Sequence, residues 1–324
     1  MQHKAPLGEF GLIGWIRQQQ SGGARHGPAL GIGDDCAILN VSPAAQLLVT
    51  TDMLMDGRHF QLESDGAEAV GYKAMGVNLS DIAAMAGLPR AAVVSVALPR
   101  ESAVSIGQGL HTGLERMADR FEVDLVGGDT NAWDGPLVVS VTLLGETTPL
   151  GAVRRSGARP GDLIAVTGPL GGSLCRGRHL RPEPRIREAL ALLAAARLNA
   201  MIDVSDGLSS DLQHILEESG GLGAILDADE IPIHPDVREL SRADGISALD
   251  HALHDGEDFE LCVVVSPENA RTLLAAPPEP ARLYRVGEVT AEPGLWLRRS
   301  GGIVTPLEPR GFDHFRSFAP ADGR

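Results

Sequence analysis

Apolar, strand-like runs in this sequence repeatedly meet carboxylates at their ends. QLLVTT at 46–51 runs into Asp52, VDLVG at 123–127 runs into GGDT with Asp129, and the apolar run at 201–204 carries Asp203 and leads into Ser205 and Asp206. GIGDDCA at 31–37 and HDGEDFEL at 254–261 place Asp34, Asp35, Glu257 and Asp258 just before further apolar segments. NLSDIAAMAG at 78–87 sets Asn78 and Asp81 three apart, on one face of a helix. Any one of these motifs alone reads as a tight turn, or as a helix cap in the case of Ser205 and Asp206. Six in one chain exceed what turn preference explains. Carboxylates gathered in this way repel unless something positive binds, and the Thr50 and Thr51 hydroxyls beside Asp52 are hard oxygen donors suited to Mg²⁺. The joint reading is a polynuclear Mg²⁺ site.

The spacing of apolar residues predicts helices over 8–20, 66–86, 102–121, 187–200 and 207–219. Strands are predicted over 46–51, 91–98, 123–127, 137–145, 162–167, 201–204, 222–227 and 259–265. Such mixing implies sheets covered by helices, an α/β or α+β fold. With 324 residues, 43% of them apolar, the chain suits two domains. The Arg-, Gly- and Pro-rich stretch GAVRRSGARPG at 151–161 places the boundary near residue 150, giving domains 1–150 and 151–324.

No run approaches the roughly 18 apolar residues of a membrane span, and MQHKAPLGEF lacks a basic-then-apolar signal pattern, so the cytoplasm is the expected compartment. The net charge of −15 argues against a nucleic-acid surface, which needs a basic stripe. Cys36, Cys175 and Cys262 match neither a zinc spacing nor a disulfide framework. Lys4 and Lys73 are the two lysines, so arginine and metal must handle phosphate, and Arg155 and Arg159 of RRSGARPGD are candidates. The sequence contains no GxxxxGK[ST] loop, no HRD or DFG set and no GxSxG elbow, which removes the P-loop, protein-kinase and hydrolase readings.

The ordered set GEFGLI, GIGDDCA, TTDMLMDGRHF, YKAMGVNLSDIAAMAG, GGDT, RSGARPGD, DVSDGL, GEDFEL and GFDHF, spanning residues 8–315, resembles bacterial thiamine-monophosphate kinase. That family lies in the aminoimidazole ribonucleotide synthetase-like ATP-binding superfamily. The resemblance implies a two-domain fold whose amino-terminal sheet pairs across a homodimer, and ATP-dependent phosphorylation of thiamine monophosphate to thiamine diphosphate with several Mg²⁺ ions. It leaves room for a monovalent cation and implies no dedicated catalytic base. It further implies that Asp35, Thr50, Thr51, Asp52, Asp81, Asp129, Asp203 and Asp206 hold metal. Gly128, Asp129, Arg155 and Ser205 would contact ATP, and His59, Glu257 and Phe312 would contact thiamine monophosphate. The alternatives are an enzyme of the same superfamily with another acceptor, and a non-catalytic nucleotide or metal sensor. Two departures stand out: CRGRHLRPEPR follows TGPLGGS almost directly where the family carries a longer helical stretch, and Arg58 precedes His59 where a smaller or neutral residue is usual.

Overall fold

The computed structural model describes residues 39–311, together with Leu12, Trp15, Ile16 and Gln18 of a helical stretch near the amino end. Asp34, Asp35, Cys36 and Phe312 lie outside the described residues. The chain divides into two compact units, one made of Met1–Ala152 with His179–Ile186, the other of Val153–Arg178 with Arg187–Arg324. The first unit thus reclaims an eight-residue stretch from beyond the linker on which the expected boundary rested. Both units are mixed α/β, in line with the fold expected from sequence.

In the first unit, β1 (Leu47–Met55), β2 (Gly87–Pro99), β3 (Asp124–Trp133) and β4 (Val138–Thr147) form a sheet in the order β1-β4-β2-β3. Only the β2–β3 pair is parallel. Helices α1 (Ala67–Ala84) and α2 (Ala103–Arg120) lie on one face. α1 is apolar nearly all round, with thirteen of its eighteen residues buried. A helix of that kind belongs inside a core. α2 is amphipathic and buries Gly107, Leu110, His111, Leu114, Met117 and Ala118 at helical spacing. The two helices meet backbone to backbone: a Cβ on Gly71 would lie 2.2 Å from the Leu110 carbonyl oxygen, and one on Gly113 would lie 1.9 Å from that of Glu68.

Side chains alternate across a strand. Along β1, Leu48, Thr50, Asp52 and Leu54 turn toward the helices, while Leu47, Val49, Thr51 and Met53 occupy the opposite face. Leu47, Val49 and Met53 are 52%, 60% and 57% exposed there, which makes an uncovered apolar sheet face.

The second unit holds β5 (Leu163–Val166), β6 (Ala200–Asp203), β7 (Gly223–Asp227), β8 (Leu261–Val265), β9 (Tyr284–Thr290), β10 (Gly294–Arg298) and β11 (Val304–Pro306). They form one sheet in the order β11-β10-β7-β9-β5-β8-β6. Its helices are α3 (Ile186–Ala195), α4 (Leu208–Glu218), α5 (Val237–Asp244), α6 (Ala248–His254) and α7 (Pro267–Ala275). Every residue of β6 and β8 is buried, and Ile202, Val264, Leu212, Ile215 and Val286 belong to one core.

Two expectations change. β1 continues to Met55, so Asp52 sits within the strand rather than past its end. GGDT likewise does not follow β3 as a turn. It lies inside the strand, with Gly127, Gly128 and Asp129 in parallel register with Val93, Val94 and Ser95. The second glycine is needed there because a Cβ at position 128 would fall 2.1 Å from the Val94 carbonyl oxygen.

Candidate active site

The first unit gathers some of its candidate ligands and separates others. The Thr50 hydroxyl donates to the Asp81 carboxylate, bridging β1 to α1, and half-buried Asp52 lies on the same face. Thr51 points the other way, donating to the Val141 carbonyl oxygen at 3.1 Å and accepting from the Thr142 hydroxyl at 3.0 Å. Thr50 and Thr51 therefore do not offer their hydroxyls to one ion. Asp129 lies on β3 at the opposite edge of the sheet, exposed, and accepts from Asn131 Nδ2 at 2.9 Å. Three strand spacings separate the two edges, about 14 Å. Asn78 is fully buried; its Nδ2 donates to the Ala74 carbonyl oxygen at 2.9 Å, and its Oδ1 has no hydrogen-bond partner among the described residues.

His59 sits in the turn that follows β1. Its Nδ1 accepts from the Met55 N–H at 3.0 Å, which leaves the proton of the neutral ring on Nε2. Lys73, 0% exposed, donates from Nζ to the His59 carbonyl oxygen at 2.7 Å. The buried lysine thus anchors this turn from α1. Arg58 is exposed.

A cavity of about 170 Å³ lies beside Gly127, Gly128 and Asp129, walled by Leu12, Ile16, Val96, Leu110 and His111. Burial lowers the His111 pKa to about 4, so the ring is neutral at ordinary pH. Its Nε2 is 3.2 Å from Glu115 Oε1, and Trp15 meets it edge-on with centroids 5.3 Å apart. Sequence reasoning missed His111, whose helical spacing marks it only as a buried position of α2.

In the second unit two motifs interlock through main-chain bonds. Glu257 N–H donates to the Ser205 carbonyl oxygen at 2.7 Å, Phe259 N–H to that of Val204 at 2.9 Å, and Val204 N–H to that of Glu260 at 2.7 Å. The candidate nucleotide contact Ser205 and the candidate substrate contact Glu257 are therefore neighbours. Glu257 and Phe259 take positive φ values of 51° and 53°. Such strain costs on the order of 1–3 kcal/mol per residue and clusters at functional sites. Gly207, at φ 114°, and Gly256, at φ 73°, allow the close approach: a Cβ on Gly207 would meet the His254 backbone at 2.9 Å, and one on Gly256 would meet the Ser205 carbonyl oxygen at 2.6 Å. Arg155 is exposed on the segment leading into this unit.

The structure separates Glu257 from its neighbour in sequence. Glu257 is half-buried, whereas Asp258 is buried and accepts from Arg178 at 2.8 Å and from the Gly171 N–H at 2.9 Å. Burial pushes the Asp258 pKa up to about 7, against the pull of Arg178 and Gly171. A carboxyl whose folded pKa exceeds its unfolded value binds its proton more tightly in the native state, so stability falls as pH rises between about 4 and about 7. Urea unfolding across this window is expected to show that decline, and Asp258→Asn should flatten it. Equal slopes for the two proteins would show that Asp258 titrates normally.

Asp203 is buried at the end of β6, and Ser205 and Asp206 are half-buried. Burial, then the charges of Asp203 and Asp206, push the Asp211 carboxyl well above the usual carboxylate range, opposed by N–H donors from Asp206 and Ser205. This crowding of like charge is the condition that a hard cation relieves, and the oxygen donors of both units fit Mg²⁺ by type. Among the described residues no three His, Cys, Asp or Glu side chains converge to hold a metal. The gathering of carboxylates expected from the sequence is therefore not seen among the described residues, and each place would offer Mg²⁺ one or two carboxylates. No helix among the described residues is long and apolar enough to cross a membrane.

Both halves of the chain match known proteins. Residues 33–147 match the AIR synthase related protein N-terminal domain and residues 159–298 the C-terminal domain. A thiamine-monophosphate kinase of Rhodopirellula baltica is 41% identical over 88% of this chain and 91% of its own length. The crystal structure of thiamine-monophosphate kinase from Stenotrophomonas maltophilia superposes with a TM-score of 0.75 at 35% identity, covering 91% of this chain and 97% of that one. AaThiL complexed with AMPPCP and TMP gives a TM-score of 0.73 at 31% identity, covering 97% and 100%. With both domains matched in order and relatives of this likeness aligned along nearly their whole length, the chain belongs to the thiamine-monophosphate kinases, a family of phosphotransferases.

Proposed function

We propose that this chain transfers the γ-phosphoryl group of ATP to the phosphate of thiamine monophosphate, giving thiamine diphosphate and ADP. The observation that carries this reading is the likeness, along 97% of the chain, to a kinase structure described as complexed with AMPPCP and TMP. A phosphate monoester has its second pKa near ~6, so the attacking oxygen is already largely ionised near neutral pH and needs no general base. The barrier lies in bringing two anions into line.

Mg²⁺, when bound, supplies neutralising charge between them. Asp52, Asp81 and Thr50 in the first unit, joined by Asp35 and Asp129, and Asp203 and Asp206 in the second are the residues that would hold such ions, whereas Thr51 turns to the other face of β1. Gly128, Asp129, Arg155 and Ser205 contact the nucleotide in this reading. The apolar cavity beside Gly128 suits a planar base, with His111 as its neutral polar group. Glu257, His59 and Phe312 hold the acceptor. The cytoplasm, where ATP is made, is the fitting compartment.

The uncovered apolar face of the first sheet supports a homodimer. If β1 of one copy lies along β3 of the other, Asp52 and Asp81 of one chain come within reach of Asp129 from its partner.

The deciding assay is ADP release from Mg²⁺-ATP with and without thiamine monophosphate, with thiamine diphosphate identified by chromatography. Product is expected only when both substrates are present. Nucleotide binding without product would move the chain to another acceptor or to a sensor role. His59→Ala is expected to raise KM for thiamine monophosphate about 10-fold, the loss of one charge-assisted contact. An unaltered KM would remove His59 from the acceptor site.

A further inference from the structure

One residue that the reading above leaves unused shapes the loop between β6 and α4. Asp211 is 2% exposed, and its Oδ2 accepts from three successive backbone N–H groups: Ser205 at 3.0 Å, Asp206 at 3.1 Å and Gly207 at 3.1 Å. On the other side of the loop, the Ser205 carbonyl oxygen is held by the Glu257 N–H. Three successive N–H groups ahead of a helix would otherwise form an anion-binding concavity. Here that concavity is already filled by the protein's own carboxylate. The loop can therefore meet a nucleotide only with side chains, the Ser205 hydroxyl and the Asp206 carboxylate.

A simple cap takes one backbone N–H at a helix start onto a side-chain oxygen. Asp211 Oδ2 takes three in succession, which fixes the whole loop rather than a single residue.

We propose that Asp211 is a positioning residue: by occupying the N–H groups of residues 205–207 it fixes Ser205 and Asp206 in the orientation that binds the metal–nucleotide complex. The inference rests on the reading of Ser205, Asp203 and Asp206 as the nucleotide and metal contacts of this unit.

The test is binding of Mn²⁺ in the presence of a non-hydrolysable ATP analogue, followed by electron paramagnetic resonance on the full chain, for Asp211→Asn and Asp211→Glu. Partners that orient metal ligands typically contribute 10- to 100-fold in metal affinity, and about that loss is expected in both variants. The carboxamide offers a weaker acceptor to the three N–H groups, and the longer acid displaces the loop. Melting temperatures measured alongside separate folding from binding. A folded Asp211→Asn protein that binds Mn²⁺ and nucleotide as tightly as the parent, with only its melting temperature lowered, would reduce Asp211 to a helix cap and overturn the proposal. Should the asparagine variant fail to fold, undiminished binding by Asp211→Glu would overturn it equally. Because the readout is ion and nucleotide binding rather than turnover, a mistaken acceptor would appear in the product assay and leave this result unaffected.

Discussion

Asp52→Ala is expected to lower turnover about 10³-fold while leaving the melting temperature nearly unchanged. The side chain lies on β1, half-buried, on the face where Thr50 meets Asp81. The charge stabilisation a metal offers to phosphoryl transfer is worth several kcal/mol, and each ~1.4 kcal/mol is tenfold in rate. A folded variant with normal turnover would remove Asp52 from the metal set. Asp129→Ala should be equally impaired, although Asp129 lies on the opposite sheet edge of the same chain. Mixing the two variants then separates one-chain from two-chain sites. If each site draws Asp52 from one copy and Asp129 from the other, a mixed dimer contains one intact site and activity reappears. If both aspartates serve the same chain's site, every site in the mixture is defective and activity stays absent.

The largest stability effect is expected at Gly113, where opposing terms can be weighed. Alanine in a helix interior is favoured over glycine by about 1 kcal/mol. The Gly113 Cβ, however, would lie 1.9 Å from the Glu68 carbonyl oxygen, and the obstacle is helix backbone that cannot swing aside. Separating α1 from α2 disturbs the layer in which Leu110, Leu114 and Met117 are buried, Met117 lying beside Gly76 of α1. Overpacking of this kind typically costs about 1–3 kcal/mol and sometimes more. Steric cost outweighs propensity, so Gly113→Ala is expected to lose on the order of 2 kcal/mol in urea unfolding, and Gly113→Val more. A more stable alanine variant would mean that the helices can separate without loss.

Long periodic segments are legible in the sequence. α1 and α2 fall within a residue or two of the helices expected at 66–86 and 102–121, because each buries a stripe long enough to set a period. The misreadings concern backbone meeting backbone. Gly127 and Gly128 suggest a turn, yet both lie within a parallel pair, where Gly128 allows close approach to the backbone of Val94, more than thirty positions away. α5 and α6, eight and seven residues long, are too short for periodicity to declare itself.

In the candidate site, Glu257 and Asp258 look equivalent in sequence, and only the fold assigns Asp258 to Arg178 and Gly171. The roles of Asp211 and Lys73 consist of bonds to main-chain atoms, for which residue type is a poor guide. Residue type groups Thr50 and Thr51 with Asp52, whereas the fold brings Thr50 to Asp81 and turns Thr51 to the other face of β1.

His179–Ile186 belongs to the first unit although it follows the linker, so the polypeptide passes between units three times. Within that unit Pro182 is buried and packs over Gly76, where a Cβ would lie 2.4 Å from the proline ring and 2.9 Å from Met117, and Glu183 pairs with Arg120. The halves are therefore not interchangeable cassettes. A chimaera joined at residue 152 would graft a foreign plug onto α1 and α2, and an amino-terminal fragment ending there would leave this groove open to solvent. Recombination among relatives at a single linker point is thereby penalised, and the two halves of the gene are bound to diverge together.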